Sequence, residues 1–196
     1  MRNTLPALMC VLVGSIAVPG CYDSLTDIAT PDKVVYFDDL VGSYNALDPG
    51  GGRLTLEKGK ADKTYAYRQF DEDGSLVNRG TLWVVKIGDE HFYQFSVDGF
   101  ATTDGRPVYA IGRLGIGGEP GAKTLTGYAF KCEEALFGDP LVTTAEYEHQ
   151  DGAERSKGRA LSMPPEKLQA YLALRASGMT KPTLKFRQAE PAAVKH

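Results

Sequence analysis

The sequence predicts a mainly β fold: an antiparallel barrel or sandwich carrying one C-terminal helix. Three observations carry this expectation. From about Val34 to Gln150, short runs rich in Tyr, Val, Thr and Phe alternate apolar with polar residues. Glycine pairs and Asp-Gly steps separate the runs roughly every dozen residues. No helical period fills the gaps, so the crossover helices that a parallel sheet requires are missing from this stretch.

The run VVYFDDLVGSYNAL (34–47) is expected as the first strand, and Pro49-Gly50-Gly51-Gly52 breaks the chain after it. RLTLEKG (53–59) places Leu54 and Leu56 on one face and Arg53, Thr55 and Glu57 on the other. KTYAYRQF (63–70) brings Tyr65 and Tyr67 together, and Asp73-Gly74 closes a hairpin after it. LVNRGTLWVVKIGD (76–89) is the clearest strand. Thr81, Trp83, Val85 and Ile87 share a face, with Leu82, Val84 and Lys86 opposite, and Trp83 reads as a core anchor. HFYQFSV (91–97) sets His91, Tyr93, Phe95 and Val97 on one side. PVYAIGRLGI (107–116), KTLTGYAFKC (123–132) and LVTTAEYEHQ (141–150) continue the series up to Asp151-Gly152.

The pattern then changes once. Ser162 is placed to cap a helix whose first turn holds Pro164 or Pro165, with Glu166 close behind. Leu168, Tyr171 and Leu172 follow at i, i+3 and i+4. The expected helix runs from about Pro165 to Ala176, is stopped by Gly178, and docks on the sheet or plugs an end of the barrel. TLKFRQ (183–188) is expected as a last strand with Leu184 and Phe186 inward, and 191–196 as a tail.

The first twenty-one residues are of another kind. Arg2 gives a positive start, Leu5 to Val18 is an apolar run, and Val18-Pro19-Gly20-Cys21 closes it. A signal peptide needs such a start, an apolar centre of about 7–15 residues and small residues at the cut. A membrane-spanning helix needs about 20 apolar residues, more than are here. The segment resembles the signal peptide of a bacterial lipoprotein, with residues 1–20 removed and Cys21 acylated. Pro19 stands where that motif usually has Ala or Ser. An ordinary secretory peptide cut after Ala17 or Pro19 is the alternative. Tyr22 in place of Asp after the cysteine implies, by the familiar bacterial sorting rule, the outer membrane facing the periplasm. Residues 21–35 are polar, contain Pro31, and are expected as a lipidated tether before a domain spanning 36–190.

Composition bounds the rest. About 176 residues remain after the leader, enough for one domain with a core. The net charge is −3 and falls to about −4 once Arg2 is removed, with no basic stripe interleaved with aromatics. Non-specific binding to nucleic acid or to an anionic membrane surface is therefore not expected. Of the three cysteines, Cys10 leaves with the leader and Cys21 is assigned to the lipid. Cys132 is then alone and is expected to be buried.

Gly117-Gly118-Glu119-Pro120-Gly121-Ala122-Lys123-Thr124 lacks the contiguous Gly-Lys-Ser/Thr and the following helix of a phosphate loop. Gly115 and Gly117 start a dinucleotide fingerprint that fails in spacing. Asp71, Asp73 and Gly74 match part of a calcium loop, but no glutamate closes it. His91, His149 and His196 are scattered, and a strand sends His149 to the face opposite Glu146 and Glu148. Asp38-Asp39 and Glu133-Glu134 point apart in a strand, and the latter pair raises rather than lowers the Cys132 thiol pKa. No catalytic, metal or cofactor residue is assigned.

The order of the lipobox, Leu40-Val41-Gly42-Ser43-Tyr44, the alternating strands, Gly80-Thr81-Leu82-Trp83 and the late Pro164-Pro165-Glu166-Lys167-Leu168-Gln169-Ala170-Tyr171-Leu172 helix is similar to small bacterial lipoproteins with a lipocalin-like β-barrel. Gly42-x-Tyr44 resembles the Gly-x-Trp start of lipocalins, with Tyr in place of Trp. The resemblance implies a barrel of about eight or nine strands that holds a ligand, and it carries over no functional residue. A membrane-anchored binding module for a small apolar ligand or an envelope protein partner is the expected function. A ligand holder should have a cavity of about 300 Å³ or more, lined by Tyr65, Tyr67, Tyr93 and Phe95. A partner-binding module should instead be packed, with an exposed apolar patch. A secreted or periplasmic metal-binding protein, or a hydrolase with an unrecognised site, is the alternative.

Overall fold

Eight strands close into an antiparallel barrel in which six of the eight neighbouring pairs are also neighbours in sequence. A computed structural model describes residues 22–48, 51–129, 141–151 and 154–190. The ring runs β3 (Gly42–Ala46), β4 (Arg53–Lys58), β5 (Tyr65–Phe70), β6 (Leu76–Ile87), β7 (Glu90–Ala101), β8 (Pro107–Gly117) and β9 (Thr124–Ala129). The last strand, β12 (Leu184–Gln188), then fits between β9 and β3 and pairs with both. Closing the ring leaves no free edge in the barrel itself, which is how antiparallel sheets avoid pairing with other chains.

Between the seventh and eighth ring strands the chain makes an excursion. β10 (Thr144–Asp151) and β11 (Glu154–Leu161) form a hairpin, and helix α1 (Pro165–Arg175) follows. β11 had no signal in the sequence because its residues, ERSKGRAL, do not alternate apolar with polar. Its register matches charges instead: Arg159 faces Glu146 and Lys157 faces Glu148 across the pair. Opposite charges directly across a strand pair contribute a few tenths of a kcal/mol up to about 1 kcal/mol each.

The helix forms where the Leu168-Tyr171-Leu172 stripe places it, but Ser162 does not cap it. Pro164 occupies the cap with no side-chain bond, Pro165 opens the first turn, and Ser162 gives its backbone N–H to Thr143. A 3-10 turn over Ala176–Gly178 ends it. The helix lies on the outer wall of the barrel, where Leu168, Tyr171 and Leu172 meet Val85, Ile87, Phe92 and Ile111. This wall is therefore apolar on both faces. Trp83 belongs to the outer face, half-buried and edge-on to Tyr109 at 6.1 Å.

The stretch 22–35, expected as a polar tether, is packed. β1 (Tyr22–Ser24) pairs with β8, and its Ser24 meets β11. Ser24 and Ile28 are fully buried. The buried Gln94 of β7 holds the next residues: its Oε1 accepts the Ile28 N–H at 2.7 Å, and its Nε2 donates to Asp27 at 2.8 Å. Gln169 of α1 donates to the Ile28 carbonyl from the other side. Short polar residues read as linker because their role here is hydrogen bonding, which leaves no hydrophobic period.

The expected first strand, 34–47, is in two pieces. β2 (Val34–Val35) pairs with Val84 and Val85 of β6, taking over the edge that β5 leaves at Leu82. A 3-10 turn at Asp38–Leu40 then bends the chain across one end of the barrel before β3 begins. Cys21 and Cys132, the Pro49-Gly50 turn, Glu133-Glu134 and the tail from 191 lie outside the described residues.

Candidate ligand cavity

Strand parity alone decides what faces the barrel interior. On β4 the inward residues are Leu54 and Leu56, on β5 Tyr65, Tyr67 and Gln69, on β6 Leu82 and Val84, and on β7 Tyr93 and Phe95. β8, β9 and β12 add Leu114, Leu125, Leu184 and Phe186. These residues form one cluster, separate from the cluster under the helix.

One end of this interior is a floor. The 34–41 segment crosses it, and two buried tyrosines hold it there. Tyr65 accepts the Phe37 N–H at 2.7 Å and donates to the Phe37 carbonyl at 3.1 Å. Tyr44 donates to the Leu40 carbonyl at 2.8 Å. The Tyr36 ring stacks on Tyr65 at 4.8 Å, and Phe37 meets His91 edge-on at 5.5 Å. Lys123 pairs with Asp39 at 2.9 Å on the outside of the turn. Burial pushes the Tyr65 hydroxyl up to about 12 and raises that of Tyr44 further. His91 is lowered, first by burial and then by Lys86, with Glu90 opposing.

Above the floor is a cavity of about 90 Å³ whose lining is almost wholly apolar. The side chains around it are buried toward the floor (Leu40, Leu56, Val84) and half-buried toward the other end (Leu54, Gln69, Leu82, Phe95, Leu184). That gradient places its mouth at the end of the barrel formed by the β3–β4, β5–β6 and β7–β8 connections. Besides the hydroxyls of Tyr67 and Tyr93, the lining has one polar side chain, Gln69, which pairs in register with Asn78 at the mouth. No lining side chain is ionisable below the tyrosine range.

Glycines shape the wall. Gly80 of β6 lies opposite both Tyr67 and Val97, and a methyl group there would collide with the Ser96 carbonyl. Its bare backbone lets the Tyr67 ring lie across β6 and meet Phe95 edge-on at 5.5 Å. Gly112 of β8 lies opposite Tyr93, and a Cβ there would come within 2.3 Å of the Tyr93 hydroxyl oxygen. The Tyr93 ring lies flat against that strand and stacks on Phe95 at 5.9 Å. Glycine opposite an aromatic ring covers bare backbone with that ring.

Of the four residues the sequence pointed to, Tyr67, Tyr93 and Phe95 line the cavity. Tyr65 does not, because its hydroxyl is committed to the floor. The aliphatic lining was missed, although the period-two pattern places Leu54, Leu56, Leu82 and Val84 on these faces. The volume is also well short of the 300 Å³ expected, since leucines and rings fill most of the interior. It is nonetheless several times the roughly 10–15 Å³ that admits one water.

Elsewhere, no group of three or more His, Cys, Asp or Glu among the described residues is arranged to hold a metal. Asp71 and Asp73 both accept the Ser75 N–H, which makes the partial calcium pattern a hairpin tip. No helix among the described residues is long and apolar enough to cross a membrane. Comparison with known proteins finds no family model, no curated relative and no solved structure that matches the chain.

Proposed function

We propose that this chain is a lipid-anchored protein of the bacterial cell envelope whose barrel binds a slender apolar group. The observation that carries the binding reading is the cavity: blind at a pinned floor, open at the mouth, and lined mainly by leucines and four aromatic rings. At about 90 Å³ it is smaller than the roughly 150 Å³ engineered cavity that admits benzene. It therefore suits a single aliphatic chain end rather than a ring system. The anchor rests on the Leu5–Val18 run and Gly20-Cys21. Two or more acyl chains on one cysteine hold firmly where a single chain binds marginally.

A second reading has its own observation. Leu47, Leu76 and Val77 are exposed on the connections and strand start at the mouth, a small apolar rim that suits a protein partner. Native mass spectrometry of the chain purified from its membrane separates the two. An added mass of a few hundred daltons supports the ligand, and a macromolecular partner supports the second reading. Failure to take up a fluorescent aliphatic probe, with no added mass, rejects the ligand reading. Labelling with radioactive palmitate tests the anchor, and equal label in wild type and Cys21→Ser rejects it.

A further inference from the structure

We infer that the outer wall formed by β9, β12 and β3 is the face that lies against the anionic lipid surface of the protein's own membrane. The inference rests on the lipid-anchor reading above and on three observations independent of the cavity.

The first is the absence of a tether. The residue after Cys21 already pairs in a sheet, Tyr22 with Ile111 of β8, and buried residues follow at Ser24 and Ile28. One residue spans at most about 3.8 Å, so an acylated Cys21 brings the bilayer to the barrel wall itself. The second is where on the wall this happens. On the same edge of β8, Ala129, the last residue of β9, pairs with Gly112, directly next to the Tyr22–Ile111 pair. The chain thus enters the sheet beside the end of β9, while α1 covers the β6–β8 side.

The third is charge. With Leu125, Gly127, Leu184, Phe186 and Tyr44 turned inward, the open outward residues are Thr124, Thr126, Lys185, Arg187, Ser43 and Asn45, while Tyr128 at the far end of β9 packs against the cluster under α1 with Arg113 over its ring. Lys185 and Arg187 are exposed, as are Ser43 and Asn45, and Lys181 leads into β12. The three strands carry no carboxylate, in a chain whose net charge is −3. The acidic residues nearest these strands lie beyond their ends, at Asp48, Glu190 and Asp39, the last paired with Lys123 at 2.9 Å, and on the adjoining β4, where Glu57 is paired with Arg68. The acidic tips Asp71, Glu72 and Asp73 are on the β5–β6 connection, away from this wall. A basic, neutral-polar wall next to an acyl anchor fits a surface of anionic head groups, to which each nearby Lys or Arg adds attraction.

Trp83 supplies a built-in reference. It is on β6, four strands around the ring from β12, with its side chain in the cluster under α1. The acylated full chain is reconstituted into mixed phosphatidylcholine–phosphatidylglycerol vesicles whose head groups carry a nitroxide quencher. In a Trp83→Phe background, Thr126→Trp reports on the wall, and Ser43→Trp replaces it should the first variant not fold. The expected result is quenching of either reporter at least about twofold stronger than that of Trp83 in the wild type. Lys185→Glu with Arg187→Glu should reduce reporter quenching, and salt should do the same. Equal or stronger quenching of Trp83 overturns the inference while the anchor stands. A chain that does not float with the vesicles removes the anchor reading and this inference together.

Discussion

Leu56 and Leu54 stand two residues apart on the same face of β4, yet Leu56 is 1 % exposed and Leu54 is half-buried. The same contrast runs around the ring: Val84 against Leu82 on β6, and Tyr65 against Gln69 on β5. Toward the floor, each inward residue is covered by the 34–41 segment. Toward the mouth, the inward residues have neighbours beside them and none above. One barrel thus has a closed half that supplies stability and an open half that leaves apolar surface uncovered. The teaching is that strand pattern fixes which residues point inward, while a single crossing segment decides which of them become core.

The largest expected effect tests this directly. Leu56→Ala should destabilise by about 2–5 kcal/mol, the range for truncating a fully buried leucine. Leu54→Ala should cost less than half as much, since its side chain is still partly in water. Urea denaturation of both variants gives the comparison, and equal losses would break the distinction between floor and mouth.

The hydroxyl that pins the floor comes next. Tyr65→Phe leaves the Phe37 N–H and carbonyl without their partner, at a cost of about 1–3 kcal/mol. Its titration carries a sign. The folded value is raised to about 12 by burial, against about 10 in the unfolded chain. Below about pH 10 both states hold the proton, and the contribution is full. Between these values the unfolded chain releases it first, so stability falls as pH rises and the contribution is gone above about 12. The slope of the urea midpoint from neutral pH to about pH 11 should be shallower in Tyr65→Phe than in wild type.

How much of this was legible in the sequence depends on the period. β4, β6, β7 and the α1 stripe show one inward or one docking face, and their expected positions hold. β1, β11 and the floor turn do not. β1 and the residues after it are held by Gln94 and Gln169 amides, and β11 by its sheet neighbours and cross-strand charges. The turn at Asp38–Leu40 is fixed by tyrosine hydroxyls arriving from β3 and β5. Such partners are distant in sequence, and a residue's own neighbours do not reveal them. The aromatic wall was half legible: Tyr67, Tyr93 and Phe95 follow from parity, but their flat arrangement depends on Gly80 and Gly112 across the strand, a fact of register. Tyr65 shares their parity and lies in the floor because β2 displaces β5 along β6.

Gly112→Ala sharpens the contrast from the cavity side. The new methyl meets the far end of the Tyr93 ring, and the ring has the cavity to move into. Stability should fall by only about 1 kcal/mol, while uptake of an aliphatic probe drops sharply. A large loss of stability with binding intact would show that the ring, and not the cavity, is what Gly112 protects.

The smallest effect is expected at the rim. Leu76 is 48 % exposed and Val77 36 % exposed, so a large part of each side chain stays in water on folding. Leu76→Ser with Val77→Ser should shift stability by no more than about 0.5 kcal/mol, as for surface positions generally. The pair lies on the first two residues of β6, next to the bulge where Phe70 faces Leu76. Eight residues further along the same strand, Val84→Ser at a fully buried position should cost several-fold more. The two variants measured side by side ask whether one strand passes from surface to core along its length. If the rim pair costs as much as Val84→Ser, the mouth is packed and the cavity is part of a closed core. If it is silent, the apolar rim is free to serve whatever enters or docks at that end.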